Sequence, residues 1–276
     1  MGICKLCGKD AGWLHTTHRD CVARYAGGTK LVESIVVGAI RDGIDRQRIE
    51  DKVSEFANTF NLDLSGVKPI LLVAWDKAAE DALADNLLTK EEETRLTELA
   101  TFFGADAQAL SDRPVFMKMV KAAVIRDLCE GKIPIRLQIE GQIPVALQKD
   151  EQIIWVFKDV KYFESKTRTQ YVGGSQGVSV RVMKGVYYRA SAFRGEPVQT
   201  TAMVNIDTGL LVVTNRHLTF VGPTKSIRIK YDKIISYTPY SDGIGICRDA
   251  VTAKPQVFIT NDGRFAYNVI INAAKL

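Results

Sequence analysis

The sequence predicts a multidomain α+β protein: a small Cys/His finger, an all-α helical bundle, and an antiparallel β-barrel closed by a C-terminal helix. Three observations carry this. Three of the five cysteines fall within the first 21 residues. Apolar residues then recur at helical spacing as far as Cys129. Beyond Gly131 that period gives way to alternation and to short β-rich runs between turn residues. The chain has 276 residues, 46% of them hydrophobic and 25% charged, enough to bury more than one core. No apolar run approaches the roughly 18 residues that cross a bilayer. The opening MGICKLCG lacks the apolar region of a secretory signal, and Leu6 stands where a myristoylation sequence needs Ser or Thr. A cytoplasmic location is therefore expected.

Charge divides along the same lines. Residues 1–30 carry five Lys+Arg against two Asp+Glu, residues 31–130 carry 12 against 19, and residues 131–276 carry 20 against 11. An acidic centre between basic ends fits separate modules, and the basic C-terminal part can meet an anionic partner or its own acidic centre.

The finger occupies residues 1–28. Cys4, Cys7, His18 and Cys21 stand in the spacing C-x2-C-x10-H-x2-C. Two soft thiolates on one turn, plus an imidazole and a thiolate three residues apart on one helical face, suit a tetrahedral Zn2+. Gly8 permits the turn that aims backbone amides at sulfur. An odd cysteine total clustered at one end argues against a disulfide framework. His15, three residues before His18, is an alternative ligand. A segment this short has too little apolar material to fold alone, so metal binding supplies its folding energy. Trp13 and Leu14 are expected to form its mini-core. The pattern resembles a CCHC-type zinc finger, which implies a structural Zn2+.

The bundle spans 29–131. From Thr29 the stripe Leu31, Ile35, Val36, Ala39 marks a first helix, broken at Gly43. Asp45 caps a second, carrying Ile49, Val53, Phe56 and Phe60. After Asn61-Leu62-Asp63 a third covers about 67–83. Thr89 and Glu92 form a capping box for a fourth, ended by Gly104. A last helix starts at Ser111 or Asp112, with Pro114 just inside, and runs through Cys129. The segment AIRDGIDRQRIEDKVSEFANTFNLD repeats 43 residues later as ALADNLLTKEEETRLTELATFFGAD, which predicts two similar helical hairpins in one bundle. The second copy resembles the helix–loop–helix of the tellurium-resistance TerB family. That resemblance implies a compact helical fold and a link to metal binding, for which Asp42, Asp45, Asp81 and Asp85 can supply oxygens. The residues after Asp85 are too apolar for a calcium loop, and the acids serve equally as helix caps.

The β domain covers 132–276, with a linker at 132–147 and an inserted hairpin at 164–200. Its strand runs are IIWVF, VKYFES, VSVRVM, VYYRAS, TAMVNI, GLLVVT, HLTFVG, SIRIKY, IISYTPY and QVFITN. Turns are expected at Gly173-Gly174, Asp207-Thr208-Gly209, Asn215-Arg216, Gly222-Pro223 and Asn261-Asp262-Gly263. Phe265 and Val269 mark the closing helix. The run from GLLVVTNRHLTFVG to QVFITNDG resembles bacterial PH-like and GRAM domains, which implies a barrel that binds ligands or partner segments at an open end or edge. Lys225, Arg228, Lys230 and Lys233 are the candidate ligand-binding residues.

No P-loop, G-x-S-x-G or H-E-x-x-H is present. His217 and Cys247 are the one nucleophile–base pair worth weighing, and a turn histidine with a small buried thiol explains them as well. The expected function is non-enzymatic: a bacterial or phage adaptor or sensor with a protein partner. The alternatives are an anionic lipid surface met by the basic barrel and a nucleic acid met by finger and barrel.

Overall fold

The computed structural model describes residues 2–85, 87–136, 143–171, 179–183, 186–189, 197–250 and 254–276. The chain divides into two compact units, Met1–Arg126 and Asp127–Leu276. The expected turn at Gly173-Gly174 lies outside the described residues.

In the first unit, β1 (Gly2–Ile3) pairs antiparallel with β2 (Asp10–Gly12). Six helices follow: α1 (Arg19–Asp42), α2 (Arg46–Phe60), α3 (Leu64–Ala82), α4 (Lys90–Phe102), α5 (Ala107–Ser111) and α6 (Pro114–Cys129). Helix α1 starts before the periodicity announces it and runs unbroken through Gly27 and Gly28. Those glycines look like a break in sequence, but Gly28 is a packing residue. A Cβ there would come within 2.4 Å of the Phe56 ring. Its absence lets Phe56 lie against the helix, where Tyr25, Phe56 and Phe60 cluster with centroids 5.0–5.4 Å apart.

The bundle core is built from Val32, Val36, Ile40, Ile49, Trp75, Leu96, Leu99 and Met119, with Leu6 of the finger packed on it. Trp75 is fully buried and satisfies its indole N–H on the Leu96 carbonyl at 2.8 Å. The caps are local. Asp45 accepts from the Arg48 amide, Asp63 from Gly66 and Asp106 from Ala109, and Thr89 and Glu92 complete the capping box. The 43-residue echo is visible in backbone geometry. Asn61 and Gly104 both leave a helix left-handed, at φ 51° and 64°, and Asp63 and Asp106 both cap the next one. The short α5 has no apolar periodicity to announce it, only its Asp106 cap.

The second unit begins with a connector. Residues 132–136 and 143–152 carry no strand. The strands are β3 (Ile153–Tyr171), β4 (Ser179–Met183), β5 (Val186–Arg189), β6 (Pro197–Thr214), β7 (His217–Val221), β8 (Ser226–Lys230), β9 (Ile234–Pro239), β10 (Gly243–Arg248) and β11 (Gln256–Ile259). Seven of them form one antiparallel sheet in the order β8-β7-β6-β3-β11-β10-β9, and β4 pairs with β5. The two edge strands are joined by Tyr231–Lys233 alone. Four residue steps reach at most about 14 Å. A flat seven-stranded sheet would hold its edges about 29 Å apart. The sheet must therefore curl toward its own edge, and it forms a half-barrel. Helix α7 (Gly263–Ala273), capped by Asp262, buries Phe265 against Trp155 and Phe157 at 4.7 and 5.8 Å.

Two strand expectations change. Asp207-Thr208-Gly209 is not a turn: β6 runs straight through it, and the IIWVF and VKYFES runs likewise merge into β3 across a bulge near Asp159 (φ 55°). Asp207 instead clamps the β7–β8 loop, its carboxylate accepting from the Thr224 and Lys225 amides at 2.8 Å and from the Thr224 hydroxyl. Gly209 is needed because a Cβ would strike the Val221 carbonyl. Strand β10 has no place among the expected runs, because Gly243 and Gly245 interrupt its alternation. At 165–171 and 197–203, β3 and β6 pair with each other beyond the rest of the sheet as a two-stranded ribbon.

Candidate metal centre

Cys4 and Cys7 sit on the turn between β1 and β2. The Gly8 amide closes on the Cys4 carbonyl and the Cys4 amide on the Lys9 carbonyl, both at 2.8 Å. Gly8 takes φ 70°, the left-handed geometry this turn requires. His18 is the N-cap residue of α1 and Cys21 lies in its first turn. Helix geometry places those two side chains together, and the hairpin delivers the other pair.

The ligand atoms of Cys4, Cys7, His18 and Cys21 converge, with no pair farther apart than 4.8 Å. His18 Nδ1 is 3.4 Å from Cys7 Sγ and 3.6 Å from Cys21 Sγ. Zinc bonds of about 2.3 Å to sulfur and 2.0 Å to nitrogen, at tetrahedral angles, give a sulfur–nitrogen edge of about 3.5 Å. The donor set thus fits a tetrahedral divalent ion. His18 Nε2 is 2.8 Å from the Asp10 carbonyl. A carbonyl only accepts, so Nε2 carries the proton and Nδ1 presents its lone pair to the cluster.

The thiols respond to this setting. Burial opposes ionisation of Cys4, but the amides of His18, Leu6 and Cys7 overcome it and bring the thiol down to about 6. Burial pushes Cys21 up, reinforced by hydrogen bonding to Cys7. A cation at the centre of the cluster would allow thiolates to share so small a space.

Among the described residues this is the one Cys/His/Asp/Glu cluster able to hold a metal. His15 is exposed and outside it. Asp45 is engaged as a cap, and Asp85 accepts from the Leu87 amide at 2.9 Å. Trp13 and Leu14 are not a mini-core: both side chains are exposed, because a finger this small has no interior beyond the ligands.

The four basic candidates lie along β8 and the turns that flank it. Lys225 is half-buried and its amide is held by Asp207. Arg228 and Lys230 share the outer face of edge strand β8, with the Arg228 guanidinium donating to the Ala146 carbonyl. Lys233 is exposed beyond the strand end, in the turn to β9. Five residues of strand separate Lys225 from Lys230, about 17 Å.

His217 is buried and turns to Glu151, not Cys247. The Glu151 carboxylate accepts from His217 Nδ1 at 2.9 Å, the Thr214 hydroxyl at 2.7 Å and the Gln148 amide at 2.8 Å. Burial opposes its ionisation, yet these donors hold it below the ordinary carboxylate range. Sequence reading missed Glu151, which stands 66 residues from its histidine with no local pattern to mark it. A scan against protein-family models and a search of curated proteins match nothing to this chain.

Proposed function

We propose that the chain is a non-enzymatic adaptor or sensor, made of a zinc-stapled finger, a TerB-like bundle and a PH-like β domain that docks a protein partner. The observation that carries this reading is the Cys3His cluster at tetrahedral spacing. Four protein ligands complete the shell of a structural Zn2+ and leave no position for substrate. Zn2+ supplies folding energy there, fixing the start of α1 to the hairpin. The β domain's exposed edge strand, with Arg228 and Lys230 outward, supports docking of an acidic partner segment by strand addition.

Two measurements test this. Metal analysis of the purified chain should return about one zinc per chain, and a value below half an equivalent counts against the staple. Crosslinking in native cells should capture a partner with the wild-type chain and lose it with Arg228→Glu/Lys230→Glu. Turnover that disappears in His217→Ala but survives Cys7→Ser would overturn the non-enzymatic reading.

A further inference from the structure

The finger carries two of the three most exposed large apolar side chains among the described residues, the third being Ile135. Trp13 and Leu14 are 90% and 88% exposed, and Ile3 on the paired strand is 67% exposed. Leaving a tryptophan and a leucine side by side in water is unfavourable for a loop that could have held polar residues. The loop holding them is pinned at both ends. The Asp10 carboxylate accepts the Gly12 amide at 2.9 Å, the Lys5 amide donates to the Thr16 carbonyl at 2.9 Å, and the His15 carbonyl lies against Gly2, where a Cβ would meet it at 2.3 Å. The result is a fixed prong. Exposed Lys5, Lys9, Arg19 and Arg24 surround it in sequence, against Asp10 and Asp20.

Magnitudes separate the possible occupants. Trp13 and Leu14 offer roughly 350 Å² at most, less than the roughly 450 Å² of apolar area in the about 800 Å² that each partner of a stable protein interface buries. A single-stranded nucleic acid would stack on Trp13 but gain nothing from Leu14 or Ile3. A bilayer interface uses all of it: tryptophan favours the headgroup level, aliphatic side chains enter the acyl boundary, and lysine and arginine meet anionic headgroups. We propose that this prong inserts into anionic phospholipid membranes, with the basic residues of the finger supplying the second, electrostatic signal that reversible anchoring needs. This surface belongs to the first unit and does not rest on the partner proposed for the β domain.

The chain contains its own reporter. Of its three tryptophans, Trp75 is 0% and Trp155 6% exposed, so only Trp13 can change solvent on binding. Full-length protein is mixed with vesicles of two parts phosphatidylcholine to one part phosphatidylserine, and with phosphatidylcholine alone. The expected result is a blue shift of tryptophan emission and co-sedimentation with the anionic vesicles only, weakened at about 1 M salt, where the screening length falls to about 3 Å. Trp13→Ala/Leu14→Ala should lose about tenfold or more in partitioning while keeping its metal content and melting temperature. Trp13→Phe should still co-sediment without the blue shift. Arg228→Glu/Lys230→Glu should bind vesicles like wild type. The proposal fails if anionic vesicles leave the emission unchanged, or if the double prong variant partitions like wild type. It also fails if the β8 variant alone loses binding, or if a single-stranded oligonucleotide quenches Trp13 where vesicles do nothing.

Discussion

His18 and His15 sit three residues apart in one histidine-containing loop, and only geometry separates them. His18 caps α1, and its ring is held between the Asp10 carbonyl and two thiols. His15 gives its backbone carbonyl to the space beside Gly2 and leaves its ring in solvent. His18→Ala is therefore expected to lose bound zinc and lower the melting temperature, whereas His15→Ala should retain one equivalent. Equal zinc loss in both variants would mean the ligand is not fixed as described. The same scale shows the limit of pattern reading. Cys4, Cys7, His18 and Cys21 were legible because metal ligation imposes spacing on sequence. Trp13 and Leu14 were misread because apolar character alone does not say whether there is an interior to enter.

At the scale of elements, the capped helix starts at Asp45 and Thr89 were legible, because caps are formed by residues within one turn of each other, whereas the start of α1 at Arg19, with no side-chain cap, was not. Thr89 and Glu92 satisfy each other's backbone across three residues. Thr89→Ala should cost roughly 1 kcal/mol of stability in the first unit, measured as a shift of the denaturant midpoint at unchanged slope. Thr89→Ser should cost little, and equal losses in both would assign the effect to packing rather than capping. Strands were less legible. Asp207 and Gly209 carry turn chemistry yet lie inside β6, because the first anchors a neighbouring loop and the second clears a neighbouring carbonyl. Gly28 carries break chemistry yet lies inside α1, because Phe56 needs the space. In each case the residue type answers a contact remote in sequence.

For the molecule as a whole, two compact units predict two separable responses. Metal chelation should lower the unfolding transition of the first unit, which contains the Cys3His cluster, and leave that of the second in place. Acid should weaken the first by protonating the metal ligands and the Asp63 cap, and the second through Glu151. Glu151 ionises more readily folded than unfolded, so its stabilisation is complete above its ordinary value near 4.5 and drains as pH falls through the folded value. Glu151→Gln should lower stability at neutral pH and flatten this acid limb, while an unchanged limb would assign the acid sensitivity to other carboxylates. Glu151→Ala, which leaves the buried His217 ring and Thr214 hydroxyl without their acceptor, should cost about 1–3 kcal/mol.

By itself the sequence determined what short-range physics writes down: ligand spacing, helix caps, the change from helical period to alternation, and the internal echo of the bundle. Each of these is written in residue order alone, as a spacing, a period or a repeat. Tertiary structure alone decided which histidine faces the thiols, that β3 and β6 run long through apparent turns, that β8 and β9 become neighbouring edges of a curled sheet, and that Glu151 takes His217. Those outcomes depend on steric room and on donors and acceptors brought together from tens of residues apart, and a local pattern carries no record of either.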